Sequence, residues 1–289
     1  MTWLWLGCLR LLHGLLPFSV LAWMGEGFGG LLYYASARRR RIGRTNLQVC
    51  FPDLDKYAIR CLLRAHFRAL GRATLLESVS WWGCRAEVER AVRIEGQEHL
   101  SAVAGRPVIL LAPHFVGLNL AGVRMASLHG ACVSMYARIK NPVFDRLMLH
   151  SRTRFGDQQL VSRQEGIKPI LRAIKQGRPF YYLPDLDFGR KDAIFVPFFG
   201  VPAATITGLS RIARATGAAV VPLIVRWDGK GYVMRFYPAW EDFPTDEVAA
   251  DTRRMNAFIE ERIREMPEQY FWLHKRFKTR PEGQPSLYD

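Results

Sequence analysis

An apolar run, Val108-Ile-Leu-Leu-Ala-Pro, ends on His114, and a helix-like stretch opens at Gly117. A histidine just past the carboxyl end of a strand, beside a helix start, is well placed as a general base. Its ordinary pKa of about 6.5 leaves the ring able to accept a hydroxyl proton at neutral pH. The other reading of one histidine after a strand is structural. Asn119 lies five residues on. A carboxylate there could hold the imidazole tautomer and stabilise the imidazolium; an asparagine can accept from the ring N–H but supplies no charge. Asn119 also reads as a polar residue on a helix face. A second constellation, Tyr181-Tyr-Leu-Pro-Asp185-Leu-Asp187-Phe-Gly-Arg, places two carboxylates after a strand. They could orient a base or recognise hydroxyls and cations of a substrate, but two aspartates alone do not complete a metal site. Between these motifs stand Arg138, Arg146, Arg152, Arg154 and Arg163, with Lys140 among them. The planar guanidinium matches phosphate oxygens two at a time, which suggests a site for an anionic headgroup. A solvated helix face is the alternative, strongest for Arg146.

The elements that must position these residues alternate. Strands are expected at Pro107–Ala112, Ala131–Tyr136, Pro179–Leu183, Ala219–Arg226 and Tyr232–Tyr237. Helices are expected at Leu118–Leu128, Pro142–Phe155, Gly166–Gln176, Ala204–Thr216 and Asp246–Met266. Strands separated by helices of this length indicate a layered α/β fold with a largely parallel central sheet flanked by helices. In such sheets, sites gather at the carboxyl ends of the strands. Upstream, apolar residues recur at three- and four-residue steps from Asp53 to Trp82, giving an amphipathic helix or helix pair with Arg60, Arg64, Arg68 and Arg72 as a basic stripe. The segment Phe195–Thr205 is apolar and turn-rich and reads either as the wall of an acyl-chain groove or as a buried loop.

The N-terminal stretch from Trp3 to Tyr34 is apolar, and its cleanest part, Leu11–Gly25, lies between Arg10 and Glu26. A spanning helix needs about 20 apolar residues. Tryptophans near the ends and five arginines in Ala35–Arg44 suit the headgroup layer of an anionic membrane. Residues 1–45 are therefore expected to be a helical membrane anchor with a basic flank, and residues 46–289 one catalytic domain. If the anchor spans, its arginines put the body on the cytoplasmic side. A buried helical hairpin is the other reading.

With 41 basic and 26 acidic side chains, the 289-residue chain carries a formal net charge of +15. Its partners should be acidic. An apolar content of 49% excludes global disorder. The five cysteines form no CxxC pair, which argues against a zinc ribbon and a disulfide framework. No nucleic-acid motif is present, and nucleic acid is not an expected partner.

Together the motifs resemble the late (secondary) acyltransferases of lipid A biosynthesis, the lauroyl and myristoyl transferases of the lysophospholipid acyltransferase superfamily. The residues that carry this are Arg44-Thr-Asn-Leu-Gln-Val-Cys-Phe-Pro, the His114 motif, Asn141-Pro, Pro184-Asp185-Leu-Asp187-Phe-Gly, Phe195-Val-Pro-Phe-Phe-Gly and the long run Glu268–Gly283. The resemblance implies transfer of a fatty acyl group from acyl carrier protein to a hydroxyl of a 3-hydroxyacyl chain on a Kdo-modified, phosphorylated lipid A precursor. The place would be the cytoplasmic face of a Gram-negative inner membrane. His114 would be the base in a direct attack that needs no acyl-enzyme, metal or cofactor. Arg138, Arg152, Arg154, Arg163, Asp185 and Asp187 would bind substrate. The family pattern has Asp or Glu where this chain has Asn119, so the chain is expected to turn over more slowly than its Asn119→Asp variant. The alternatives are an acyltransferase for another glycolipid or an aminolipid, and a catalytically silent homologue that binds lipid or carrier protein.

Overall fold

A computed structural model describes residues 2–288. Pro17, which has no N–H to donate, separates α1 (Thr2–Leu15) from α2 (Phe18–Ala35). Then come α3 (Ala37–Cys50) and the long α4 (Lys56–Trp82), whose first turn is capped by the Asp55 carboxylate accepting from the Ala58 N–H at 2.6 Å. The stretch expected as one helix or a pair is thus one helix.

The α/β body follows in the order α5 (Arg85–Ala91), β1 (Val92–Glu95), α6 (Gln97–Ser101), β2 (Val108–Leu111), α7 (Leu118–His129), β3 (Val133–Tyr136), α8 (Pro142–Thr153), β4 (Gln159–Ser162), α9 (Lys168–Lys175), β5 (Phe180–Tyr182), β6 (Ala193–Phe198), β7 (Val201–Ile206), α10 (Gly208–Thr216), β8 (Ala219–Trp227), β9 (Tyr232–Phe236) and α11 (Val248–Glu265). Seven strands form one sheet in the order β1-β9-β8-β2-β5-β3-β4. The run from β8 to β4 is parallel; β9 is antiparallel to β8, and β1 runs parallel to β9. The largely parallel α/β reading therefore holds. Along β2 the side chains alternate between the two faces: Ile109 and Leu111 join the core beneath α9, α10 and α11, and Val108 and Leu110 the core beneath α4 and α7.

All five strands expected from the sequence form. The two others in this sheet, β1 (VRIE) and β4 (QLVS), are short and lack an apolar run. The Phe195–Thr205 segment is neither a loop nor a groove wall. It lies within the antiparallel β6–β7 hairpin, whose inner residues pack on α11. The helix expected from Ala204 begins only at Gly208, because Ala203–Ile206 pair with β6.

Residues 1–45 pack closely on the body that follows them. Gly25 and Gly29 of α2 meet Gly71 of α4 with backbones touching: a Cβ on Gly29 would lie 2.1 Å from the Phe67 carbonyl oxygen, and one on Gly71 2.4 Å from Gly29 Cα. Only glycine allows that approach. Across the contact, Glu26 accepts from Arg68 at 2.8 Å and from Arg72 at 2.6 Å. The boundary expected after residue 45 falls inside α3. No helix among the described residues is long and apolar enough to cross a membrane. The outer faces of α1 and α2 nonetheless expose Trp3, Leu4, Leu11, Leu15, Trp23, Leu31 and Tyr34.

His66, fully buried on α4, bonds through Nδ1 to the Glu268 carbonyl oxygen at 2.9 Å. Burial pushes its pKa down from 6.5 to about 4. Between those values the unfolded chain takes up a proton that the folded chain refuses, so stability falls as pH drops, by about 3 kcal/mol in all. Thermal melts from pH 7 to pH 4 should show that slope in the wild type. A His66→Asn variant, which keeps a donor for the carbonyl but does not titrate, should lose that part of it.

Candidate active site

The register of two neighbouring strands builds the site. Leu111 of β2 pairs with Tyr182 of β5, so three residues beyond each partner, His114 and Asp185 emerge side by side at the carboxyl edge of the sheet. His114 Nδ1 lies 2.8 Å from Asp185 Oδ1, and the His114 backbone N–H donates to Oδ2 at 2.9 Å. The carboxylate is completely buried, while about a fifth of the imidazole is open. Burial alone would raise the Asp185 pKa. The neighbouring imidazole, its hydrogen bond and the backbone donor together hold it below the usual carboxylate range. An ionised carboxylate only accepts, so Nδ1 carries a proton; in the neutral ring the lone pair is then on Nε2. Nε2 has no protein partner among the described residues.

The C-terminal segment clamps the histidine loop. The Val116 N–H donates to the Gln269 carbonyl at 2.7 Å, and the Phe271 N–H to the His114 carbonyl at 3.0 Å. Gln269 in turn accepts from the Trp227 N–H at 2.6 Å. Asn46 of α3 donates to the carbonyls of Trp272 at 2.6 Å and His274 at 2.7 Å. The runs Arg44–Pro52 and Glu268–Gly283 are therefore one structural unit behind the base. After the loop, Gly117 starts α7 at a φ of +94°, and a Cβ there would sit 2.3 Å from the Tyr232 ring. In the first turn of α7 that follows, the Leu118 N–H donates to the Phe115 carbonyl at 3.2 Å, and the N–H groups of Asn119 and Leu120 have no partner among the described residues.

Asn119, expected beside the histidine, makes no hydrogen bond to it. Its Nδ2 donates to Glu77 Oε2 at 2.8 Å, and its Oδ1 accepts from Arg152 Nε at 2.9 Å. Second in α7, its side chain faces α4 and α8, whereas the partner of His114 arrives from the adjacent strand. Burial raises the Glu77 pKa, opposed by the Asn119 hydrogen bond and the Arg152 charge. Burial lowers that of Arg152, opposed by Glu77. Glu77 was not singled out in the sequence, although it is the one carboxylate between Asp55 and Glu87.

Two cavities meet at His114. One, of about 350 Å³, is lined largely by apolar groups, including Leu70, Ala73, Met125, Cys132, Leu160 and Leu183, with Glu77 and Asn119 at its side. The other, of about 890 Å³, includes Arg163, Lys191 and Arg211 in its wall. His114, Met135, Arg152, Tyr181 and Leu183 line both. Burial pushes the thiol of Cys132, the one cysteine in either wall, up to about 12.

The remaining residues expected to bind substrate divide. Arg163 lines the larger cavity, its guanidinium 4.5 Å from the Phe188 ring. Arg138 is exposed on the loop after β3, between two residues of that cavity's wall, Ala137 and Ile139. Arg154 lines neither cavity. Its guanidinium donates to the carbonyls of Ser80, at 3.0 Å, and Gly83, so it fastens the end of α4 to α8 instead of holding a headgroup. Asp187 is also committed to the fold. It accepts from the Gly189 N–H at 2.9 Å and from the Thr279 N–H and hydroxyl at 2.6 and 2.8 Å, pinning the C-terminal run.

The structure is a layered α/β protein with a His–Asp pair at the carboxyl edge of its sheet, between an apolar cavity and a larger one whose wall combines Arg163, Lys191 and Arg211 with Asp145, Asp192 and apolar groups. The chain belongs to the bacterial lipid A biosynthesis acyltransferases, whose family model matches residues 1–279. It is 35% identical, over all of its length and 94% of the relative's, to the lipid A biosynthesis lauroyltransferase of Escherichia coli strain K12. With the palmitoleoyltransferase of that strain the figures are the same. With its myristoyltransferase the identity is 32%, over 93% of this chain and 83% of the relative. The protein is an acyltransferase of lipid A biosynthesis.

In Asp185→Asn, an amide facing Nδ1 favours the wrong imidazole tautomer. By analogy with the Asp-to-Asn change in a serine protease triad, turnover should fall by about 10⁴ with KM little changed. Steady-state kinetics on protein whose circular dichroism matches the wild type checks this.

Proposed function

We propose that this chain moves a fatty acyl group from the thioester of acyl carrier protein to the hydroxyl of a 3-hydroxyacyl chain on a Kdo-modified lipid A precursor. The observation that carries the proposal is the His114–Asp185 pair at the junction of the two cavities. The smaller, apolar cavity suits the transferred acyl chain, since each CH₂ withdrawn from water contributes about 0.8 kcal/mol. Its depth would then select chain length. The larger cavity, with Arg163, Lys191 and Arg211 in its wall, suits the phosphorylated acceptor or the phosphopantetheine arm of the donor.

In this mechanism Nε2 of His114 takes the hydroxyl proton as the oxygen attacks the thioester carbonyl. Asp185 stabilises the imidazolium that results. The oxyanion forms near the free N–H groups at the start of α7 and the guanidinium of Arg152, donors that a developing negative charge requires. Collapse breaks the carbon–sulfur bond, and the imidazolium returns its proton to the departing thiolate. No acyl-enzyme is required. Burial disfavours the thiolate of Cys132, the cysteine nearest the site.

The exposed tryptophans and leucines of α1 and α2 support an enzyme lying in the membrane interface with its helical hairpin embedded, not crossing it. The arginines of α3 and the net charge of +15 suit an anionic leaflet and an acidic carrier protein. We place the enzyme at the cytoplasmic face of the inner membrane, where acyl carrier protein is available.

The deciding assay gives the detergent-purified protein a series of acyl carrier protein thioesters with Kdo-modified lipid A precursor and reads product masses. The wild type should add one acyl chain and His114→Ala none; full transfer by His114→Ala would remove it as the base. Trp23→Ala/Leu31→Ala should weaken binding to phosphatidylglycerol vesicles by about tenfold or more at unchanged melting temperature, in keeping with the loss of two large apolar side chains from the interface. Unchanged binding would move the membrane contact elsewhere.

A further inference from the structure

Arg152 stands where both cavities meet, and the protein holds it by one atom. Nε donates to Asn119, while the two terminal nitrogens have no hydrogen-bond partner among the described residues. A guanidinium withdrawn from bulk water in this way needs a compensating negative charge. None touches it directly. The nearest link runs through the side-chain amide of Asn119 to the carboxylate of Glu77.

The order of donors and acceptors fixes the orientation of the amide. Arginine can only donate, so the amide oxygen of Asn119 must face Nε. That leaves Nδ2, also only a donor, facing Glu77, and the Glu77 oxygen opposite it accepts. The amide dipole is therefore aligned between a cation and an acceptor oxygen, and each hydrogen bond of the chain polarises the other. Glu77 is thus positioned to act on the arginine from one residue away. The other carboxylates around the cavities are engaged elsewhere: Asp185 by His114 and its backbone, Asp145 by the Ile139 N–H at 2.8 Å, and Asp192 by Arg211 at 3.8 Å.

We propose that Glu77 is a positioning residue for the transfer reaction: acting through Asn119, it supplies the negative charge that holds Arg152 charged and aimed at the junction beside His114. The inference rests on the acyl-transfer reading above. It also accounts for an amide at position 119. With Glu77 already present on α4, a carboxylate at 119 would face another at 2.8 Å. Two carboxylates that close cannot both ionise and must share a proton. Asn119→Asp alone therefore adds no usable charge, contrary to the gain in rate expected from the sequence. The amide and the carboxylate can instead exchange places. In Glu77→Gln/Asn119→Asp the amide at 77 donates to the carboxylate at 119, which accepts from Arg152 directly.

The experiment measures kcat, KM and melting temperature for the wild type, Glu77→Gln, Asn119→Asp and the double variant, with acyl carrier protein thioester and Kdo-modified precursor, well below every melting temperature. Glu77→Gln should lose about 100-fold in kcat, the scale of a misplaced catalytic group. The double variant should regain at least about tenfold of that, and its melting temperature should exceed the value given by adding the two single changes. An unchanged kcat in Glu77→Gln would overturn the inference even if stability fell, since the carboxylate would then serve the fold alone. Additive effects of the two changes on kcat would overturn it too, because no charge would be exchanging between the positions. A wild type that transfers no acyl group from any thioester is a separate outcome: it overturns the proposed function, and the inference with it, because no reaction is left for Arg152 to serve.

Discussion

A carboxylate with no access to solvent is tolerated only if its charge is answered on the spot, and Asp185 meets that condition through the ring and the backbone of His114. Much of the architecture maintains this one contact. The parallel pairing of β2 with β5 brings the two residues level. The segment after α11 then crosses the histidine loop and bonds to it at the His114 carbonyl and the Val116 N–H, which holds the loop against the carboxylate. Asn46, His66 and Asp187 hold that segment in place from other elements. These polar residues stand far apart in the chain and converge behind His114.

The site contains two separate charge systems. One links a buried aspartate to a histidine that opens onto both cavities. The other runs from Glu77 on α4 through Asn119 on α7 to Arg152 on α8, and so joins three helices at the smaller cavity. Their separation suits direct acyl transfer, in which proton movement and stabilisation of negative charge occur at different atoms of the reacting pair. In the wall of the otherwise apolar cavity, Asn119 is satisfied on both sides by Glu77 and Arg152, while among the described residues the terminal nitrogens of Arg152 and Nε2 of His114 have no partner.

The N-terminal helices show how an apolar sequence can serve two surfaces. Three glycines bring α2 against α4 until their backbones touch, and the Glu26 carboxylate is answered there by two arginines. The inward face thus belongs to the body of the enzyme, while tryptophans and leucines remain on the outward face. Reading the stretch as an anchor captured its hydrophobicity and missed the glycine spacing, which tells that one face is buried against protein.

The sequence by itself determined the layered α/β class and the five strands with apolar runs, because each depends on local composition or on a pattern contiguous in the chain; it also singled out His114 and Arg152, which the fold brings to the junction of the two cavities. It could not assign partners. Asp185 belongs to His114 because strand register carries it there, from 71 residues away. Asn119, five residues from the histidine, faces another way because helical rotation turns it toward α4. Arg154 and Asp187, which look like binding residues in the chain, have their polar atoms engaged by backbone groups and by the Thr279 hydroxyl, which only folding brings near. Hydrogen bonds and ion pairs act over about 3 Å, and which groups come within that distance is decided by how strands and helices pack, a property the order of residues does not display.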